Sequence, residues 1–171
     1  MPGKRRKVAS HPRLEREAQA QSTWALGHSY TLAAEALMKQ TEVYVRQPTL
    51  LLLLHSLELY LKSFLILQGK TEKELRNLGH DLVSCMRACK DRGLSKHVAL
   101  CRADVAQVVR LNKFYVGKEL EYFVPRSKRF GSTEQIAYTV GTVAKAILGV
   151  VHHESWRALY RERPLFAMKQ E

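Results

Sequence analysis

The sequence predicts an all-α protein, an antiparallel bundle of about five helices. Apolar residues recur at helical spacing through most of the 171 residues, capping and stop signals separate those stretches, and no segment shows the sustained alternation of a strand. Apolar residues make up 46% of the chain, enough to bury the core of one domain, and nine glycines and five prolines are too few for wholesale disorder. The expected organisation is a basic disordered tail over 1–12, one helical domain over 13–163, and a short tail over 164–171.

The tail carries Lys4-Arg5-Arg6-Lys7 without apolar periodicity and ends at Pro12. A first helix follows from about Leu14 to about Val45, bent at Gly27, with Trp24, Thr31, Ala33, Ala34 and Leu37 on its apolar face. Pro48 opens the second helix, because proline is tolerated in a first turn, and Gly69 closes it.

Within the second helix, Thr49 to Leu67 is a nineteen-residue run long enough to raise a membrane span. His55, Glu58 and Lys62 interrupt it, each costly in lipid, so the run predicts a buried helix and no membrane partner. At about 100° per residue, Leu50, Leu54, Leu57, Leu61, Phe64 and Leu65 share one face. His55, Glu58 and Lys62 form a polar stripe opposite, with Leu51, Leu59 and Ile66 on its side. A face so mixed predicts a cover other than water, either a partner helix or the second subunit of a homodimer.

Thr71 with Glu74 has the spacing of a capping box for one short turn ending near Gly79. Asp81 caps a helix over Leu82 to about Arg92, closed by Gly93, and Ser95 opens another that runs to about Tyr115 and stops at Gly117. From Lys118 to Gly131 the period fails, and Pro125 favours an extended loop. Ser132 with Gln135 opens the last helix, to about Arg161 before Pro164.

Twenty-eight Lys and Arg against sixteen Asp and Glu give a net charge of +12, which favours phosphate-rich partners. The basic start is followed by no apolar stretch, so a cytoplasmic protein is expected. Cys85, Cys89 and Cys101 lack structural-zinc spacing, and His152-His153-Glu154 are helix neighbours pointing apart, so neither a metal nor a cofactor is expected. Phosphate-loop, zinc-protease and serine-hydrolase motifs are missing from the sequence.

Three pieces, in order, carry a resemblance: Glu58-Leu59-Tyr60-Leu61-Lys62, Gly79-His80-Asp81-Leu82, and Glu121-Tyr122-Phe123-Val124-Pro125. Their succession over roughly residues 48–152 resembles the HEPN family of nucleotide- and RNA-associated helical domains. The resemblance implies a bundle of four or five helices, often dimeric, and work in RNA cleavage, nucleotide binding or toxin–antitoxin systems. It marks His55, Glu58, Lys62, His80 and Asp81 as the family-matched polar positions.

Catalytic members of that family carry an arginine followed four to six residues later by a histidine, suited to metal-independent RNA cleavage. Arg92 and His97 have this spacing but straddle a helix end, whereas Arg110 is followed at the same distance by Tyr115, a poor base at neutral pH. Arg110, Lys113, Tyr115, Tyr122, Arg126, Lys128 and Arg129 interleave cations with aromatics, a pattern suited to phosphate contact and base stacking. The expected function is therefore binding of RNA or a nucleotide phosphate, paired with a nucleotidyltransferase or a defence-type protein. The alternatives are a metal-independent endoribonuclease toxin acting through Arg92 and His97, and a structural dimerisation protein.

Overall fold

A computed structural model describes residues 12–40, 45–122 and 130–151. It contains α1 (Pro12–Met38), α2 (Arg46–Leu67), α3 (Glu72–Leu78), α4 (Leu82–Asp91), α5 (Arg102–Val116) and α6 (Thr133–Val151), with a 3-10 turn at Leu94–Lys96 between α4 and α5. The protein is an all-α bundle, and no strand occurs among the described residues.

The bundle is built around α2, which packs against α1, α4, α5 and α6. Leu50, Leu53, Leu54, Leu57, Tyr60 and Leu61 are all buried, so the helix is enclosed on more than the one expected face. It is the one described helix long and apolar enough to cross a membrane, and most of it is covered by the rest of the bundle.

α1 lies closely along α2 because Ala20, Gly27, Thr31 and Ala34 among its buried residues are small, with Trp24 and His28 as the large ones on that face. Gly27 sits inside a continuous helix rather than marking the expected boundary of a bend. A Cβ there would come within 3.2 Å of Leu59 Cβ, the Ser56 carbonyl and the Tyr60 ring. The Thr31 and Tyr60 hydroxyls hydrogen-bond across the same interface at 2.9 Å, and Trp24 Nε1 donates to the Ala144 carbonyl of α6 at 3.1 Å. Ala33, expected on the inner face of α1, is exposed instead.

Several expected boundaries hold at the side-chain level. Thr71 and Glu74 form the reciprocal capping box of α3, Asp81 accepts from the Val83 and Ser84 amides at the start of α4, and Ser132 Oγ accepts from the Gln135 amide at the start of α6. Gly69 ends α2 in a left-handed conformation (φ +84°), with the Lys70 amide bonded to the Leu65 carbonyl and the Gly69 amide to that of Ile66.

Three boundaries differ. α1 ends at Met38, short of Val45, and α2 begins at Arg46, which puts Pro48 inside its first turn. The segment after Ser95 makes only the 3-10 turn; α5 starts at Arg102, where the Cys101 thiol accepts from the Asp104 amide and Asp104 returns a bond to the Cys101 amide. The third difference lies at the end of α5. Gly117 has ordinary helical φ (−75°) and Lys118 takes the left-handed position (φ +56°), with the Glu119 amide bonded to the Phe114 carbonyl and the Lys118 amide to that of Tyr115. The basic tail, the Pro125 loop and the end of the last helix near Arg161 and Pro164 fall outside the described residues.

The close approach at Gly27 has a measurable consequence. Gly27→Leu forces α1 away from α2 and is expected to cost about 1–3 kcal/mol, read from the urea midpoint. Gly149→Ala in α6, where a Cβ meets nothing within 4 Å among the described residues, is expected to gain about 0.5–1 kcal/mol from helix propensity.

Candidate functional site

Glu58 is only 2% exposed, yet its carboxylate is ionised and fully engaged. Oε1 accepts from Lys62 Nζ at 2.7 Å, one helical turn further along α2. Oε2 accepts from the Tyr115 hydroxyl of α5 at 2.6 Å and from His80 Nδ1 at 2.9 Å. Burial alone would push the Glu58 carboxyl up, but hydrogen bonds from Lys62, Tyr115 and His80 outweigh it and hold it below its ordinary value.

These partners come from three elements. Lys62 also donates to the Gly79 carbonyl at 2.7 Å, tying the α3–α4 turn to α2 and holding His80 over Glu58. Asp81 has a different role: it caps α4, and its Oδ1 also accepts from Asn112 Nδ2 at 2.9 Å. Asn112 Oδ1 accepts from the Leu82 amide at 2.9 Å, so α4 and α5 are joined by a two-bond clasp beside the site. The Asp81 carboxyl is held below its usual range, burial being outweighed by hydrogen bonds from Ser84, Asn112 and Val83.

The polar stripe of α2 is thus covered by Tyr115 and the His80 turn of the same chain. The need for a second subunit over that face falls away, and a dimer through α2 becomes a matter for solution mass measurement.

Proton bookkeeping fixes both histidine tautomers. An ionised carboxylate only accepts, so His80 Nδ1 carries its proton toward Glu58. Tyr115 has one hydroxyl proton and gives it to Glu58, so its oxygen accepts at 2.9 Å from His55 Nδ1. In the neutral rings each Nε2 is then left as an acceptor with no hydrogen-bond partner among the described residues. Burial lowers the His55 pKa, only partly countered by Glu58, while burial and the Glu58 charge push the Tyr115 hydroxyl up.

Both imidazoles line a cavity of about 220 Å³ whose wall also includes Tyr30, Leu51, Leu52 and Lys118. The Tyr30 ring meets His55 edge-on at 4.6 Å. Glu121 is the one carboxylate in the lining.

The sequence-derived site residues separate into groups. His55, Glu58, Lys62 and His80 come together, and Tyr115, expected as an exposed stacking residue, is instead the buried donor to Glu58. Arg92 caps α4 and reaches the Ala88 carbonyl, and His97 packs edge-on to Phe64; neither lines the cavity. Arg110 lies against Gly131, Lys113 and Tyr122 are exposed, and Arg126, Lys128 and Arg129 fall outside the described residues. Tyr30 and Asn112 are additions from the structure, and Lys118, a member of the cationic, aromatic strip in the sequence, lines the cavity. Among the described residues no His, Cys, Asp and Glu cluster could hold a metal ion, and Cys85 and Cys89 are buried thiols that burial pushes up, Cys85 to about 12.

Comparisons with protein-family models, with curated proteins and with solved structures give no match to this chain.

The buried carboxylate makes acid sensitivity a direct readout of the site. A folded-state pKa below the ordinary 4.5 stabilises the protein fully above that pH, and the contribution is lost as pH falls through the folded value. Glu58→Gln strands the Lys62 ammonium and is expected to cost about 3–5 kcal/mol at pH 7, and to show a shallower loss of stability than wild type below about pH 4.5. Equal acid slopes in urea titrations of the two proteins would remove Glu58 from this role.

Proposed function

We propose that this protein is a HEPN-like module that binds one nucleotide unit, free or within RNA, in the cavity lined by His55, His80 and Lys118. The observation that carries this reading is the pair of outward Nε2 atoms, both fixed by the Glu58–Tyr115 hub, beside a lysine held in a strained backbone conformation.

The chemistry of the wall suits a ribonucleotide. Neutral Nε2 atoms accept hydrogen bonds from ribose hydroxyls or base N–H groups, the Lys118 ammonium takes a phosphate, and Tyr30 with Leu51 and Leu52 offers flat apolar contact to a base. A volume of about 220 Å³ is below the ~300–1,000 Å³ usual for drug-sized ligands, so the cavity would take the sugar or the base of one nucleotide and leave the rest outside. Glu121, whose amide bonds to the Lys118 carbonyl at 3.1 Å, puts a carboxylate beside that lysine in the lining and counts against a fully charged phosphate there. Lys118 sits at the left-handed position that closes α5, where a lysine costs ~1–2 kcal/mol and glycine none, and a phosphate contact would offset that cost. The net charge of +12 adds long-range attraction, and the family resemblance supports a partner such as a nucleotidyltransferase or a defence-type protein.

The same two imidazoles favour a second reading, an endoribonuclease that uses them in place of Arg92 and His97. His80 Nε2 would take the ribose 2′-hydroxyl proton as O2′ attacks phosphorus, and the departing 5′-oxygen would take a proton from His55 imidazolium as the P–O5′ bond breaks. The lowered His55 pKa makes that acid scarce at neutral pH, which ranks binding ahead of cleavage.

Titration with a fluorescent oligoribonucleotide separates the readings. Binding is expected to weaken at least tenfold in His80→Ala and in Lys118→Gly, with a salt slope of about −0.7 per phosphate contacted. Lys118→Gly is also expected to gain up to about 1 kcal/mol in stability, so its loss of binding cannot be misfolding. Binding that ignores salt and both substitutions would sink the proposal. Cleavage in chelator that survives His97→Ala but stops in His80→Ala would establish the second reading.

A further inference from the structure

A second cavity, of about 420 Å³, opens between α4, α5 and α6 and shares no residue with the His55–His80 site. Its floor is made by Leu57 and Leu61 of α2, Val108 of α5 and Val143 of α6, all at most 1% exposed. Interiors pack at the density of organic crystals, so a space this size reaching fully buried core leucines is a place where the described residues leave their packing unfinished. Sequence explains the gap: the chain from His97 to Cys101 forms no helix, α5 begins only at Arg102, and the residues of α5 turned toward the mouth are the short Val105 and Val109.

The walls specify the occupant. The polar side chains of the lining are few, and Thr139 is already satisfied, its hydroxyl lying 3.1 Å from Asp104 Oδ1 and 3.0 Å from the Gln135 carbonyl. The lining contains no carboxylate. Arg87 and Lys90, one turn apart on α4, stand exposed in it, and neither makes an ion pair or side-chain hydrogen bond among the described residues. Val105 and Val109 are 37% and 39% exposed at the opening. A dry floor with two unpaired cations at one side matches an amphiphile with an apolar tail and a negative head.

We propose that this cavity binds a single unbranched acyl chain with a carboxylate head, a medium-chain fatty acid anion, with its tail against Leu57 and Leu61 and its carboxylate at Arg87 and Lys90. Depth down to α2 favours one narrow chain over a docked helix, which would rest on the exposed valines without reaching that floor. The site is independent of nucleotide binding, so either can fail without the other.

The test is calorimetric titration of the full chain with octanoate, decanoate, dodecanoate and tetradecanoate, each below its micelle concentration. One molecule is expected to bind per chain, tightening about fourfold per added methylene until the cavity is full and then levelling off. Val109→Trp, at the exposed mouth, is expected to abolish binding while leaving the circular dichroism melt unchanged. Arg87→Ala with Lys90→Ala, both exposed, is expected to remove the preference for decanoate over decanol, whatever the tryptophan variant does to folding. Affinity independent of chain length, or a carboxylate preference that survives the double substitution, overturns the proposal. So does a dimeric mass by light scattering with decanoate excluded from the dimer, which would give the groove to a second copy of the chain.

Discussion

The ionised Glu58 carboxylate inside α2 is the constraint around which the other elements are arranged. A charge at 2% exposure is tolerable only when its acceptor sites are filled by donors, and no single helix supplies them all. Lys62 comes from the same helix, His80 from the α3–α4 turn and Tyr115 from α5. Moving any of these elements away strands a buried charge, so the network sets where the turn and α5 must lie in a way that leucine contacts, which lack direction, do not. Lys62 extends the constraint by gripping the Gly79 carbonyl, and the Asp81–Asn112 clasp fixes α4 to α5 beside it. The histidines are oriented as a by-product: with their Nδ1 protons committed inward, both rings are left displaying Nε2 to one cavity.

What the sequence reveals about this arrangement follows the range of the interactions. Glu58 and Lys62 are legible because a helix brings residues four apart together, and the caps at Thr71, Asp81 and Ser132 are legible because a side chain bonds to its own backbone within three residues. Tyr115 is not, because its partner Glu58 is 57 positions away and an aromatic flanked by cations reads equally well as a stacking surface. The clasp through Asn112 is hidden for the same reason. Covering of the polar stripe is readable from its mixed composition, but its source is not; the stripe calls for a lid, and the lid turns out to be α5 of the same chain. Two local features also escape. Cys101 caps α5 with a thiol, a weaker acceptor than the oxygen side chains that ordinarily mark a helix start, and Lys118 occupies a left-handed position that its neighbour Gly117 would have filled without strain.

Tyrosine at position 115, where the family resemblance anticipates a histidine after Arg110, changes what this part of the protein can do. A histidine there would have two titrating nitrogens and could trade protons near neutral pH; the tyrosine hydroxyl, pushed upward by burial and by Glu58, holds its proton throughout that range. Position 115 therefore serves as a fixed donor to the carboxylate and a fixed acceptor from His55, a relay of orientation with no proton to give away. Proton transfer at this cavity would fall to the imidazoles of His55 and His80 or to Glu121, and His55 is biased toward its neutral form by burial. The left-handed conformation of Lys118 is set by the turn that ends α5, and its consequence is to put an ammonium in the lining of the same cavity as the two imidazoles.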